Sequence, residues 1–157
     1  MERGPSHESE NGMIAARRRA MAVCAQADRR ELDAALARVA YAGEAHDLRR
    51  PEVGLVVARG RMGGDGRPFN FGEATIARAT VRLESGETGF AYQLGRDLEK
   101  ARCAAILDAL LQSSRREAVE SALAPIAARQ ASERSLRERQ VAATRVNFFT
   151  MVRGEDE

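Results

Sequence analysis

The sequence predicts an α+β fold: a small antiparallel β-sheet with N-terminal helices before it and extended C-terminal helices after it. Three observations point there. Nine of the thirteen glycines fall between Gly54 and Gly95, in a stretch where side chains alternate at the period of a strand. On both sides of that stretch, apolar residues recur at helical spacing. The strand candidates follow one another through short turns, which suits a meander rather than crossovers.

Residues 1–12, MERGPSHESENG, are polar and aperiodic and read as a disordered tail. Residues 13–157 read as a single domain with a C-terminal helical arm and tail. From Met13 the chain turns helical, with Ile14, Met21 and Cys24 on one face and Arg17 to Arg19 partly opposite. Asp28 followed by Glu31 has the spacing of a capping box and opens a second helix carrying Leu32, Leu36 and Val39. Gly43 is a stop signal and Arg50-Pro51 a break.

Val53 to Arg61 reads as the first strand, and Phe69 or Phe71 through Leu83 as the second. In the second, Thr75, Ala77, Ala79, Val81 and Leu83 face one way, and Ile76, Arg78, Thr80 and Arg82 the other. A turn at Glu84 to Glu87 leads to a third strand, Gly89 to Leu94, with Phe90, Tyr92 and Leu94 together. Asp97 is a helix N-cap, followed by an apolar stripe to about Gln112. Ser114 with Glu117 has the form of another capping box, and Pro125 predicts a kink or a new helix. Residues 129–143 are polar and read as an exposed helical arm; Val146 to Val152 reads as a short strand.

Composition narrows the function classes. The chain has 157 residues, 44% hydrophobic but only 4% aromatic and without Trp, so Ala, Leu, Val and Ile must fill the core. Basic and acidic residues number 25 and 23, a net charge of +2, which argues against a nucleic-acid binder. Lys100 is the single lysine. Cys24 and Cys103 sit in Ala-rich helical patterns and read as buried small hydrophobes. No secretory signal or membrane span is legible, so a cytoplasmic protein is expected.

Chemistry-bearing residues cluster in RGRMGGDGR, residues 59–67. Glycines bring backbone N–H groups close to an oxyanion, and Arg59, Arg61 and Arg67 could bind phosphate through paired hydrogen bonds. The segment lacks the GK[ST] ending and the following helix of a Walker loop. It therefore reads either as an anion site or as a hairpin connection with solvated arginines. Arg78, with Glu73 nearby, reads as an anion or subunit contact or as part of a wet sheet face. Arg96 precedes the Asp97 cap and could reach a ligand there. No Ser/His/Asp set, metal cluster or acid–base carboxylate pair is legible. The apolar end, NFFTMV, reads as an edge strand or as an anchor for a partner, with Phe148, Phe149, Met151 and Arg153 as contact candidates.

The ordered segments GLVVARGRMGG, GEAT followed by VRL, LGRD and FFTMVRGE closely resemble the PhnG family, over roughly Met13 to the end. Those proteins are subunits of the bacterial carbon–phosphorus lyase system. The resemblance implies partners of the PhnH, PhnI, PhnJ and PhnL types and two copies in a hetero-oligomer. It implies an assisting role in ribose 1-methylphosphonate 5-triphosphate synthase, a transferase. There a phosphonate displaces adenine from ATP, with MgATP a substrate of the complex and no cofactor bound by this subunit alone. A stand-alone nucleotide or phosphate binder is the alternative reading of the same residues.

Overall fold

In a computed structural model, the structure describes residues 7–63 and 65–144. Among these residues, four helices and three strands follow in the order α1 (His7–Gln26), α2 (Arg29–Val39), β1 (Ala45–Arg61), β2 (Pro68–Leu83), β3 (Thr88–Leu94), α3 (Leu98–Leu110) and α4 (Arg116–Ala143). The fold class is the predicted α+β. The helix expected from Met13 begins at His7, inside the segment that reads as tail.

Local signals set several boundaries. Asp28 accepts the Glu31 N–H at 2.8 Å while the Glu31 carboxylate accepts the Asp28 N–H at 2.9 Å, completing the capping box of α2. That helix ends before Gly43, on Ala40 in the left-handed region at φ 50°. Asp97 caps α3 by accepting the Lys100 N–H at 2.9 Å. The box expected at Ser114 and Glu117 does not form; α4 starts after Arg115, which makes no side-chain cap bond. Pro125 lies inside α4, which runs through it as one helix.

The strands form one antiparallel sheet in the order β1-β2-β3. Strand β1 begins at Ala45 and passes through Arg50-Pro51 rather than breaking there. The chain absorbs the proline with register shifts between Asp47 and Arg49 and between Arg49 and Glu52. Both shifts lie on an edge strand, where a missing N–H is tolerated.

Helix α3 is the centre of the molecule. Every residue from Cys103 to Leu111 is buried, as expected of a helix covered on all sides. One side packs on β2 and β3, and the other meets α1, α2 and α4. The inward row of β2 is Ala77, Ala79, Val81 and Leu83, as predicted. Gly89 and Ala91 of β3 also face inward. A Cβ at Gly89 would stand 1.9 Å from the Ala105 carbonyl oxygen and 2.6 Å from the Ala109 nitrogen. Only glycine permits that approach of helix to strand.

A buried polar knot ties three elements together. Asp108 of α3 accepts two bonds from Arg17 of α1, at 2.9 and 2.7 Å, and the Phe90 N–H of β3 at 2.9 Å. The Asp108 hydrogen bond raises the Arg17 pKa, with burial opposing. Arg17 thus turns inward rather than following Arg18 and Arg19 to solvent. Gln93 is also buried, and its side-chain nitrogen and oxygen have no hydrogen-bond partner. The first half of α4 is fastened by Gln130, which donates to the Val23 carbonyl, and by Arg129, which holds Glu31. From Ala131 to Thr144 every residue is exposed, so the polar arm predicted over 129–143 begins beyond that clasp.

Candidate functional site

The sheet does not end where its helices do. β2 pairs with β3 from Ile76 to Arg82, but with β1 from Pro68 to Leu83. Past Thr75 it continues as two strands, Leu55–Arg61 against Pro68–Thr75. At about 3.3 Å per residue this arm reaches about 20 Å beyond the body. An isolated two-stranded ribbon is marginally stable in water.

Register and alternation divide the arm into two faces. Arg59 pairs with Asn70 and Arg61 with Pro68, while Gly60 pairs with Phe69. The shift between Ala58 and Arg59 leaves Phe71 as the extra residue of a bulge. Phe71 then lies over Gly60, where a Cβ would be 3.2 Å from its ring. It meets Phe69 edge-on, with ring centroids 6.4 Å apart. Phe69 and Phe71 therefore share the face opposite Arg59 and Arg61.

That aromatic face continues onto the sheet proper. Val56 sits in the same row as Gly60, and the cross-strand partners of Ile76, Arg78 and Thr80 are Leu94, Tyr92 and Phe90. The outer face thus carries Val56, Phe69, Phe71, Phe90, Tyr92 and Leu94, with exposures from 40% to 75%. Isolated apolar residues on a surface need no explanation, but a contiguous set marks an interaction site. Helix α1 borders it at the β3 edge, where Ile14, Arg17, Arg18 and Met21 line a concavity with Phe90.

The predicted site residues separate in space. Arg59 and Arg61 come together, lining with Gly60 and Pro68 a concavity of about 450 Å³. Arg67 is exposed at the foot of β2. Glu73 pairs across the arm with Val57 and does not orient Arg78. Arg78 instead binds Glu52 at 2.7 Å, and Glu52 also holds Arg49 at 2.7 Å. Arg78 is therefore engaged within the sheet. Arg96 is exposed between Gly95, at φ 97°, and the Asp97 cap. Phe148, Phe149, Met151 and Arg153, with the expected strand at 146–152, lie outside the described residues.

Other titratable groups carry structure rather than chemistry. Burial pushes the thiols of Cys24 and Cys103 up to about 12, which leaves them protonated and inert at neutral pH. Glu44, His46 and Glu84 bring ligand atoms within 4.8 Å of one another, all exposed. Sequence reading missed this group because the pairing of Ala45 with Leu83 creates it. Among the described residues there is no nucleophile–base–carboxylate set.

An α+β body that presents an apolar sheet face and a projecting arm, with no catalytic set among the described residues, has the features of a subunit of a larger assembly. The chain matches the family described as phosphonate metabolism protein PhnG over residues 15–154. It is 48% identical over 149 residues to alpha-D-ribose 1-methylphosphonate 5-triphosphate synthase subunit PhnG of Rhizobium meliloti (strain 1021), covering 94% of this chain and 96% of that protein. The chain belongs to the PhnG family.

Proposed function

We propose that this chain is an assisting, non-catalytic subunit of an alpha-D-ribose 1-methylphosphonate 5-triphosphate synthase in phosphonate catabolism. The synthase transfers the ribose triphosphate moiety of ATP to a phosphonate and releases adenine. MgATP is a substrate of the assembly, and this subunit brings no cofactor of its own. Its partners are PhnH-, PhnI-, PhnJ- and PhnL-like subunits, with two copies of this chain in a cytoplasmic hetero-oligomer. No helix among the described residues is long and apolar enough to cross a membrane.

The observation that carries this reading is the exposed apolar outer face, running from Phe90 on β3 to Phe71 on the arm. Six apolar side chains left in water favour burial, at about 25 cal/mol per Å² of apolar surface covered. The sequence match supplies the kind of assembly; the face supplies the means of joining it.

Co-expression with the partner subunits, followed by an adenine-release assay with MgATP and methylphosphonate, tests the proposal. Adenine release should require this chain. An assembly equally active without it would refute the proposal. Calorimetry of the isolated chain with ATP should show no binding, and clear binding would favour a stand-alone nucleotide binder.

A further inference from the structure

We propose that Arg59 and Arg61 hold the polyphosphate chain of the synthase's substrate from the tip of the arm, in trans to the subunit that carries the chemistry. This rests on the assembly reading above and adds a specific contact to it.

Gly60, Gly63 and Gly66 each have a structural reason. Gly63 takes φ 66°, and a Cβ at Gly66 would stand 2.3 Å from the Met62 carbonyl oxygen. Gly60 makes room for Phe71. The arginines have no such structural reason. Neither Arg59 nor Arg61 makes an ion pair with any described residue, whereas Arg78 of the same sheet is held by Glu52. The acidic groups of the arm, Asp65 and Glu73, do not engage them.

Position makes these two a pair. Two residues apart on β1, they project to the same side, with Cα atoms about 6.6 Å apart. They line one concavity together with Gly60 and Pro68, and their cross-strand neighbours Asn70 and Pro68 carry no charge. Two guanidinium forks side by side on one strand suit an elongated polyanion with several acceptor oxygens, such as a triphosphate. The other face of the same ribbon is aromatic, so seating Phe69 and Phe71 against protein leaves the arginines turned away from that contact. A net charge of +2 does not by itself argue for nucleic acid, and the two arginines form a local cationic pair of a size that fits a small anion.

The test uses the co-purified assembly containing Arg59→Ala/Arg61→Ala, with Arg38→Ala, an exposed arginine on α2 away from the sheet, as control. Native mass reports assembly, adenine release reports KM for MgATP, and calorimetry with inorganic triphosphate reports anion binding without turnover. The double variant should assemble normally, raise KM about ten- to a hundredfold, and lose triphosphate affinity by a similar factor. The control should change neither. Unchanged KM and triphosphate affinity in an intact variant assembly would overturn the proposal. Loss of assembly would overturn it too, placing the arginines against an acidic partner surface. A wild-type assembly that releases no adenine defeats the assembly reading instead, and triphosphate binding still reads the contact separately.

Discussion

Asp108→Ala should detach α1 from the sheet, and the size of the effect follows from its bonds. The carboxylate accepts two bonds from Arg17 and one from the Phe90 N–H, with side-chain exposures of 3% for Asp108 and 32% for Arg17. Removing it leaves the Phe90 N–H without its acceptor, at a cost of about 1–3 kcal/mol. Breaking a fully buried pair costs about 3–5 kcal/mol. Arg17 is a third exposed and can turn to solvent, which discounts that figure. The net loss is about 2–4 kcal/mol, or about 5–15 °C in Tm for a chain of this size. Asp108→Asn keeps an acceptor for Phe90 and should lose less. Replacing both partners, as Arg17→Met/Asp108→Leu, should cost less than the two single losses added together. Thermal unfolding followed by circular dichroism measures all of these. A melt of Asp108→Ala within about 2–4 °C of the wild type, a loss under about 1 kcal/mol, would refute the reasoning.

Gly89→Ala should push α3 off the sheet, costing about 1–3 kcal/mol as overpacking, and a chemical denaturation midpoint equal to that of the wild type would contradict the close approach. Cys24 and Cys103 should resist alkylation at pH 8 until the chain is unfolded, and rapid native labelling would show their burial to be wrong. The same thiols predict an alkaline loss of stability. Their folded values are about 12 against an ordinary 9.0. Below pH 9 both states hold the protons and stability is full. Between pH 9 and 12 the unfolded chain releases protons that the folded chain keeps, so stability falls. Cys24→Ala/Cys103→Ala should flatten that fall in denaturation curves taken across the same range.

Features whose partners lie close in sequence were legible. The Asp28–Glu31 box and the Asp97 cap each join groups three residues apart. The inward row Ala77, Ala79, Val81 and Leu83 follows from alternation alone. Alternation also groups Phe90, Tyr92 and Leu94, but it does not say that their face points outward. The backbone of α3 decides that: it comes so close to β3 that Gly89 and Ala91 must lie inside. The Arg17–Asp108 pair spans 91 residues and leaves no local trace. Pro51 misleads because a break signal is also tolerated at an edge-strand bulge.

The candidate site was legible as a list of residues but not as an arrangement. The sequence singled out Arg59, Arg61 and Arg78 alike. The structure separates them, because Glu52 takes Arg78 and the bulge at Phe71 sets the aromatic and basic faces of the arm apart. Glu52 and Arg78 are far apart in sequence, and no periodicity predicts their contact.

One substitution pair separates folding from assembly at the outer sheet face. Tyr92→Glu/Leu94→Glu changes two side chains that are 64% and 75% exposed, so the melt of the isolated chain should be nearly unchanged. Charges at the centre of an apolar interface should cost more than about 2 kcal/mol of association. Native mass of the co-expressed subunits should then show the wild-type chain in a stoichiometric assembly and the variant folded but outside it. Recovery of the variant at wild-type stoichiometry would contradict joining through that face.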